Sequence, residues 1–201
     1  KITDGPIKDF AAGESAVYVV RPDGSLWSAG CNVDGRLGDG TTVNRSSLVK
    51  VIDSGVKKVF SEGKYAAVIK EDGSLWTFGI NRFGQLGNGT QVDSPTPVQI
   101  ETSGVVDVSP YWDTTLYVKS DGSLWGMGRN YSKMLKSVGT PSSNYLSPVK
   151  IVEGGVTKAA VGYWYLIYLK DDGSVWGRGH NYHGQLGQSG GSSYSDPVQI
   201  I

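Results

Sequence analysis

The sequence has little cysteine, little histidine and no excess of charge of either sign. Its 201 residues include one cysteine, Cys31, and two histidines, and 19 basic residues balance 19 acidic ones. A single cysteine forms no intrachain disulfide and says little about compartment, because repeat folds with large cores need no covalent staples. The neutral charge argues against nucleic-acid binding, since no basic excess exists to release counterions from phosphates.

Long apolar runs and helical periodicity are also missing. No segment approaches the roughly 20 apolar residues of a transmembrane helix, so we expect no membrane insertion. No window sustains the period of about 3.6 residues that predicts a long helix. No catalytic set recurs at matched places, and His180 with His183 supplies too few ligands for a metal. The sequence therefore predicts a protein that is not an enzyme and has no cofactor.

What the chain does contain is a repeated cassette, Asp-Gly-Ser-[Leu/Val]-Trp. The four copies begin at Asp23, Asp72, Asp121 and Asp172, separated by 49, 49 and 51 positions. A fixed period near fifty residues indicates one supersecondary unit copied in series, as in propellers and related arrays. Such folds usually offer a loop-lined face for binding.

Other positions repeat in phase with the cassette. A glycine follows three residues after each tryptophan, and an asparagine follows two residues later, at Asn32, Asn81, Asn130 and Asn181. In three copies this asparagine opens Asn-x-x-Gly-[Arg/Gln]-Leu-Gly, whereas the third copy has lost the glycines. The 29 glycines therefore fit an all-β chain dense in turns, because they recur in register.

One repeat predicts four short strands. In the second copy these are 56–60, 65–70, 75–79 and 97–100, with Asp72-Gly73 as a hairpin turn. Period-two alternation gives the third strand two apolar faces, so we expect the cassette tryptophan to be a core residue. The serine has no role in this interpretation, and Ser74→Ala is expected to be nearly neutral. Four short strands in about fifty residues are typical of a propeller blade.

These residues resemble the repeats of the regulator of chromosome condensation. The resemblance rests on Trp76-x-x-Gly79-x-Asn81-x-x-Gly84-Gln85-Leu86-Gly87 and extends throughout the chain. It implies a β-propeller, and its drift from the eukaryotic members favours a bacterial type. The histidine of the family signature is absent, and its slot holds Ala16, Tyr65, Thr114 and Tyr165.

The repeats divide the chain into 1–50, 51–99, 100–150 and 151–201, which we interpret as a single repeat domain. The predicted fold class is all-β, with four propeller blades of four antiparallel strands. We expect these blades to form an open arc or part of a larger ring, with self-association as one way to complete it.

The candidate binding face lies in two sets of loops. Because consecutive strands run antiparallel, the loop between strands one and two shares an end of the blade with the loop between strands three and four. Aromatic residues outside the core pattern concentrate there, and Tyr and Trp are favoured interface anchors. The predicted partner-binding residues are Tyr111, Trp112, Asp113, Tyr163, Trp164, Phe83, Tyr182 and His183.

The favoured function is a protein-binding propeller module that uses this aromatic loop face, with the partner's identity open. A glycan-binding propeller is the alternative, although a regular lectin site would repeat from blade to blade. A regulator resembling a guanine-nucleotide exchange factor is the third possibility. The resemblance and the many Tyr, Ser, Thr and Gly residues favour an extracellular or cell-surface location.

Overall fold

A computed structural model describes residues 5–136 and 144–201 of the protein. These residues form sixteen β-strands, which make four antiparallel sheets of four strands each. Every sheet is built from strands that are consecutive in sequence. The predicted all-β architecture of four four-stranded units is therefore confirmed. Residues 1–4 and 137–143, which belong to the first and third predicted repeats, lie outside the described residues.

The sheets follow one another along the chain. The first comprises β1 (Asp9–Ala12), β2 (Ala16–Val20), β3 (Leu26–Gly30) and β4 (Arg45–Ile52). The second comprises β5 (Val56–Ser61), β6 (Tyr65–Lys70), β7 (Leu75–Gly79) and β8 (Ser94–Glu101). The third comprises β9 (Val105–Tyr111), β10 (Thr114–Lys119), β11 (Leu124–Arg129) and β12 (Asn144–Val152). The fourth comprises β13 (Val156–Gly162), β14 (Tyr165–Lys170), β15 (Val175–His180) and β16 (Ser193–Gln199).

Helix is confined to one short 3-10 segment among the described residues, Tyr131–Lys133. No helix in residues 5–136 and 144–201 is long and apolar enough to cross a membrane. The prediction of no long helix is confirmed for this part of the chain. The predicted strands of the second repeat are also confirmed, except that β8 begins three residues earlier than expected, at Ser94.

The cassette forms the turn between the second and third strand of each sheet. Gly73 has a φ of +77°, which a residue without a side chain adopts at little cost. The carboxylate of Asp72 accepts a hydrogen bond from the Ser74 N–H at 2.9 Å, and the Trp76 indole N–H donates to Ser74 Oγ at 2.9 Å. The other three cassettes make the same two bonds. The chain of Asp, Ser and Trp therefore explains why the three residue types recur together.

The expectation that the cassette tryptophans are core residues holds only in part, because Trp76 and Trp176 pack against the two core clusters but are not fully buried. All four are half-buried, and a basic side chain covers each ring; Lys70 Nζ lies 4.3 Å from the centroid of Trp76. The fully buried position is the leucine before the tryptophan in the first three sheets, such as Leu75. Ser74 is buried as well, so its substitution is not expected to be neutral. Cation–π contact and the indole hydrogen bond hold the ring at the edge of the core.

Two compact units divide the described residues. The first contains the described residues up to Arg82 together with Thr90–Val105, and the second contains Phe83–Gly89 and Val106–Ile201. In the first unit, Tyr18 and Val20 pack with Val59 and Val68 in one core cluster. In the second unit, Leu116 and Val118 pack with Leu166 and Tyr168. The single repeat domain over 1–201 stays a prediction.

The repeated asparagine organises the long loop after the third strand. Asn32 Oδ1 accepts the N–H of Leu37 at 2.9 Å, and Asn32 Nδ2 donates to the Thr41 carbonyl at 2.9 Å. Asn130 and Asn181 likewise accept the N–H of the leucine five residues later. The buried amide satisfies loop backbone groups that would otherwise be unpaired, which explains its place in every copy.

Candidate functional site

In the third sheet and in the fourth, a backbone hydrogen bond holds the loop between the first two strands against the end of the third strand. Arg129, at the end of β11, donates its N–H to the carbonyl of Asp113 in the β9–β10 loop at 2.8 Å. His180, at the end of β15, donates in the same way to Trp164 in the β13–β14 loop at 2.8 Å. Within each of these sheets, the predicted pairing of the two loops at one end is confirmed.

Two of these loops place a tryptophan in the left-handed backbone region. Trp112 has a φ of +40° and Trp164 a φ of +70°. In the second sheet the position equivalent to Trp112 is Gly63, with a φ of +87°. A bulky residue at positive φ is strained, and such strain concentrates at functional sites. The fold accepts glycine at this turn, so it does not require the large ring of Trp112.

Trp164 is the centre of an aromatic stack. Its ring lies 4.1 Å from that of Tyr131 and 4.2 Å from that of Tyr163, with interplanar angles of 26° and 28°. Trp164 is half-buried, whereas Tyr163 is 59% exposed. The tryptophan therefore supports its neighbours, and the outer surface of the stack belongs to Tyr163.

Histidines continue the stack towards the β15–β16 loop. The His180 ring meets Trp164 edge to face at 5.5 Å and lies 6.1 Å from Tyr182 at an angle of 20°. Tyr182 in turn contacts His183 edge to face at 5.1 Å and is 72% exposed. Gln185 fixes this segment, since its amide lies 3.1 Å from His180 Nδ1 and accepts the N–H of His183 at 2.9 Å.

Arg129 joins the stack to the neighbouring loops. Its guanidinium carbon lies 5.3 Å from the centroid of Tyr131 and 4.8 Å from that of Phe83. Its Nη1 lies 3.3 Å from Asp113 Oδ2. A guanidinium between two rings and a carboxylate contributes both cation–π attraction and an ion pair. Arg129 is therefore the residue that connects Phe83, Asp113 and Tyr131.

Trp112 is an exposed tryptophan at this end of the third sheet. Its side chain is 55% exposed, and its carbonyl accepts a hydrogen bond from Gln85 Nε2 at 3.4 Å. Tyr111, which precedes it at the end of β9, is half-buried. We call the following set the aromatic loop face: Trp112, Tyr131, Tyr163, Trp164, His180, Tyr182 and His183, with Phe83, Arg129 and Asp113 beside it.

A buried arginine holds the loop that carries Tyr131. Arg178 of β15 is buried, and its Nε donates to the Met134 carbonyl at 2.5 Å while its Nη2 donates to the Leu135 carbonyl. Burial lowers the pKa of this guanidinium. In the third sheet the equivalent of Arg178 is Met127, so the charge replaces an apolar residue here.

The structure brings six of the eight predicted site residues into one connected group, because Arg129 also contacts Tyr131 of the stack. Arg129 links Asp113 and Phe83, and the stack links Tyr163, Trp164, Tyr182 and His183. Sequence reasoning left Arg129 and His180 out. The signal was the residue between the repeated glycine and asparagine, which is Cys31, Ile80, Arg129 or His180. Only the third and fourth copies carry a charged or imidazole side chain there.

The described residues contain no group of three or more His, Cys, Asp and Glu side chains that could hold a metal ion. Aromatic, amide and guanidinium groups dominate the face instead. Such groups bind by stacking, hydrogen bonding and burial of apolar area. The arrangement therefore suits recognition of a surface.

Four-stranded antiparallel sheets in sequence order, each joined by a backbone hydrogen bond to the start of the next, define this chain as a set of β-propeller blades. Two segments of the chain match models of the regulator of chromosome condensation repeat. The model of the Regulator of chromosome condensation (RCC1) repeat matches residues 72–110, and a second model of this repeat matches residues 156–185.

Solved structures with the same fold include human WBSCR16 and yeast RCC1 (Prp20). Human WBSCR16 has a TM-score of 0.79 at 23% identity, over 93% of this chain and 50% of that chain. Prp20 bound to Kap60 has a TM-score of 0.79 at 20% identity, over 94% of this chain and 48% of that one. Prp20p from Saccharomyces cerevisiae has a TM-score of 0.79 at 17% identity, over 100% of this chain and 52% of that one.

The chain therefore spans about half the length of these solved structures. At these identities the likeness shows the fold alone. Among curated protein sequences, no significant match to this chain is found.

Proposed function

We propose that the chain is a non-enzymatic protein-binding propeller module whose partner docks on the aromatic loop face. The observation that carries this proposal is the exposure of three rings in loops at the equivalent end of the third and fourth sheets: the strained Trp112, and Tyr163 and Tyr182. Exposed aromatic rings lower solubility unless a partner covers them. Tyr and Trp anchors near a guanidinium are the composition of binding hot spots.

The backbone of Trp112 strengthens the proposal. A tryptophan at a φ of +40° costs stability that glycine would not, and the equivalent turn of the second sheet has a glycine, Gly63, with a φ of +87°. The ring makes up for this cost only through contacts, and it is 55% exposed in the free chain. A partner that buries the ring supplies those contacts.

A protein surface fits the face better than a glycan. Sugars stack on free ring faces, but both faces of Trp164 are occupied by Tyr131 and Tyr163. The face also differs from sheet to sheet, since Glu14-Ser15 and Gly63-Lys64 occupy the loops equivalent to the aromatic ones. An irregular surface with ring, amide and guanidinium groups matches the varied chemistry of a protein partner.

The similar yeast propeller is consistent with this class of function. One structure holds Prp20 bound to Kap60, and another is described with the binding of Prp20p to Gsp1p and histones. Those partners belong to that protein. The propeller supplies the precedent for protein binding, whereas the residues of the aromatic loop face supply the proposal for this chain.

The test compares wild type with Trp112→Gly/Tyr182→Ala and with a control, Val106→Ala, which removes an exposed apolar group from β9. Each protein is immobilised and exposed to extract of the source cells, and captured proteins are identified and then titrated as pure components. We expect a protein that binds wild type and Val106→Ala and loses at least about tenfold in affinity for the double variant.

Two outcomes decide against the proposal. Equal capture by the double variant would place the binding surface elsewhere. Binding on a glycan array that depends on Trp112, with no protein captured, would favour the glycan alternative. The extracellular or cell-surface location stays a prediction, as does the bacterial type.

A further inference from the structure

The chain makes the same joint between consecutive blades twice within its compact units. In the first joint, Tyr18 and Val20 of β2 pack with Val59 and Val68 of the next sheet. In the second, Leu116 and Val118 of β10 pack with Ala159 and Leu166. Each blade therefore has a forward face, on the side of the next blade, and a rear face, on the side of the preceding one.

A backbone hydrogen bond completes each joint. The N–H of Val56 donates to the Gly24 carbonyl at 2.9 Å, and the N–H of Val156 donates to the Gly122 carbonyl at 2.9 Å. Val105 makes the same bond to Gly73 at 2.9 Å. The glycine turn of one blade thus receives the first strand of the next, and a Cβ at Gly24 or Gly122 would lie 2.6 Å from the following blade's backbone.

The fourth blade has a forward face of the same kind. Because Leu166 and Tyr168 point to the third blade, strand alternation puts Ile167 and Leu169 on the other face of β14. Leu169 is 38% exposed, whereas its equivalent Val118 is buried. Ile167, Leu169 and their neighbours line a shallow groove of about 270 Å³. A Cβ at the turn glycine, Gly173, would meet nothing within 4 Å.

The first blade has the matching rear face. Phe10 pairs with Val19, on the face opposite to Tyr18 and Val20. Phe10 is 76% exposed, whereas its equivalents Val59 and Ala159 are buried in the two joints. Ile7 occupies the position of Val56 and is exposed too. The chain therefore carries an uncovered half of the joint at each end of its series of blades.

We propose that a second copy of this chain docks head to tail, with the rear face of its first blade on the forward face of the fourth blade. Phe10 of the second copy covers Ile167 and Leu169, and the N–H of its Ile7 donates to the Gly173 carbonyl. The argument for this occupant is repetition: the two surfaces are the halves of a joint that the chain already forms internally. This site is separate from the aromatic loop face.

Such an interface joins two different surfaces, so each copy keeps one free face after docking. Head-to-tail contacts close into a ring if the rotation allows and otherwise continue as a filament. A mixture of two variants, one with a substituted rear face and the other with a substituted forward face, can form neither a ring nor a filament. It can form only a single joint between one copy of each variant. This property distinguishes head-to-tail docking from pairing of two like faces.

The experiment measures molecular mass by light scattering from about 1 µM to about 1 mM, the range in which weak self-association is resolved. The samples are wild type, Phe10→Asp, Leu169→Asp, an equal mixture of these two, and Val43→Asp as an exposed apolar control in the β3–β4 loop. Thermal melts confirm that each variant is folded.

We expect wild type and Val43→Asp to gain mass with concentration, and each face variant alone to stay monomeric. The mixture should form a one-to-one dimer and nothing larger, because it contains one intact rear face and one intact forward face. The single variants should weaken association at least about tenfold.

Three results would overturn the proposal. Wild type that is monomeric over the whole range would leave the forward face to a partner other than a second copy, such as a further blade. A Phe10→Asp variant that still dimerises would indicate pairing of two fourth blades. A mixture that stays monomeric would show that the two faces do not recognise each other.

Discussion

The side chain of Arg178 donates a hydrogen bond from Nε to the carbonyl of Met134 at 2.5 Å. This contact ties β15 to the one long loop that lacks the repeated glycines. In the preceding copy the equivalent pair is apolar: Gly87 lies against Met127, and a Cβ on Gly87 would come within 2.1 Å of the Met127 sulfur. The third loop has Lys136 in place of that glycine, and the guanidinium of Arg178 meets the loop carbonyls instead.

The first prediction concerns this arginine. Arg178→Met should lower the free energy of unfolding by about 1–3 kcal/mol, because the buried carbonyls of Met134 and Leu135 lose their donors. Arg178→Lys keeps one charged donor, so its free energy of unfolding should lie between those of wild type and Arg178→Met. Urea unfolding measures the change, and Arg82→Met at an exposed site is the control. A wild-type unfolding curve for Arg178→Met would show that the carbonyls find other partners.

The second prediction concerns the serine of the cassette. Ser74→Ala removes the acceptor of the Trp76 indole N–H and should cost about 1–2 kcal/mol. Trp76→Phe removes the donor, so the two substitutions should be non-additive, with a coupling of about 0.5–1.5 kcal/mol. A double-mutant cycle in urea measures this coupling, and Ser103→Ala is the exposed control. Simple additivity would contradict the hydrogen-bonded chain.

The third prediction separates backbone strain from steric clash at the turn glycines. Gly73 and Gly173 have φ values of +77° and +85°, but only at Gly73 would a Cβ approach a backbone atom, the Gly104 nitrogen at 2.7 Å. Gly173→Ala should cost about 1–2 kcal/mol for the left-handed conformation alone. Gly73→Ala should cost clearly more in thermal melts at concentrations where the chain is monomeric. Equal losses would show that the neighbouring strand yields freely.

The sequence predicts the repeated local features well and the particular contacts poorly. The Asp72-Gly73 turn follows from local chemistry, since a positive φ at that position needs glycine. The period-two pattern puts the Trp76 ring on the face opposite to Leu75, but it does not reveal that Lys70 covers the ring. Burial depends on the neighbouring blade, which no single repeat contains.

The candidate site shows the same limit. Loop parity places Trp112 and Trp164 at the equivalent end of their blades, because antiparallel pairing follows from strand order. The stacking of Trp164 between two tyrosines depends on loop conformations, including positive φ values at Ser132 and Lys133. Arg129 escapes notice because its role appears only when rings from several loops surround it.

The fourth prediction is a pH dependence from the cassette carboxyls. Hydrogen bonds from the serine hydroxyl and N–H lower the pKa of Asp23, Asp72, Asp121 and Asp172 from the ordinary value of an aspartate. Between the folded and the unfolded pKa values of these carboxyls, the unfolded chain binds more protons than the folded chain, so the free energy of unfolding rises with pH. The stabilisation from these carboxyls is fully present above their pKa in the unfolded chain. It is lost as the pH falls through their pKa values in the folded chain.

Melting temperatures measured from about pH 6 to about pH 2 should therefore decline below about pH 4. Asp72→Asn removes one of the four titrating groups and should make the decline shallower. An unchanged slope in that variant would assign the acid sensitivity to other carboxyls.

The last prediction tests whether Trp112 is kept for binding. Trp112→Gly replaces a strained residue at φ +40° with the residue type found at the equivalent Gly63. Relief of the strain should leave the chain as stable as wild type or more stable by about 1 kcal/mol. Trp164→Gly is the matched comparison, because that ring is stacked on both sides; its loss should lower stability by about 1–3 kcal/mol. Thermal melts of the two variants give the difference. If the melting temperature of Trp112→Gly is as low as that of Trp164→Gly, the Trp112 ring stabilises the fold by packing, and its exposure is no argument for a partner.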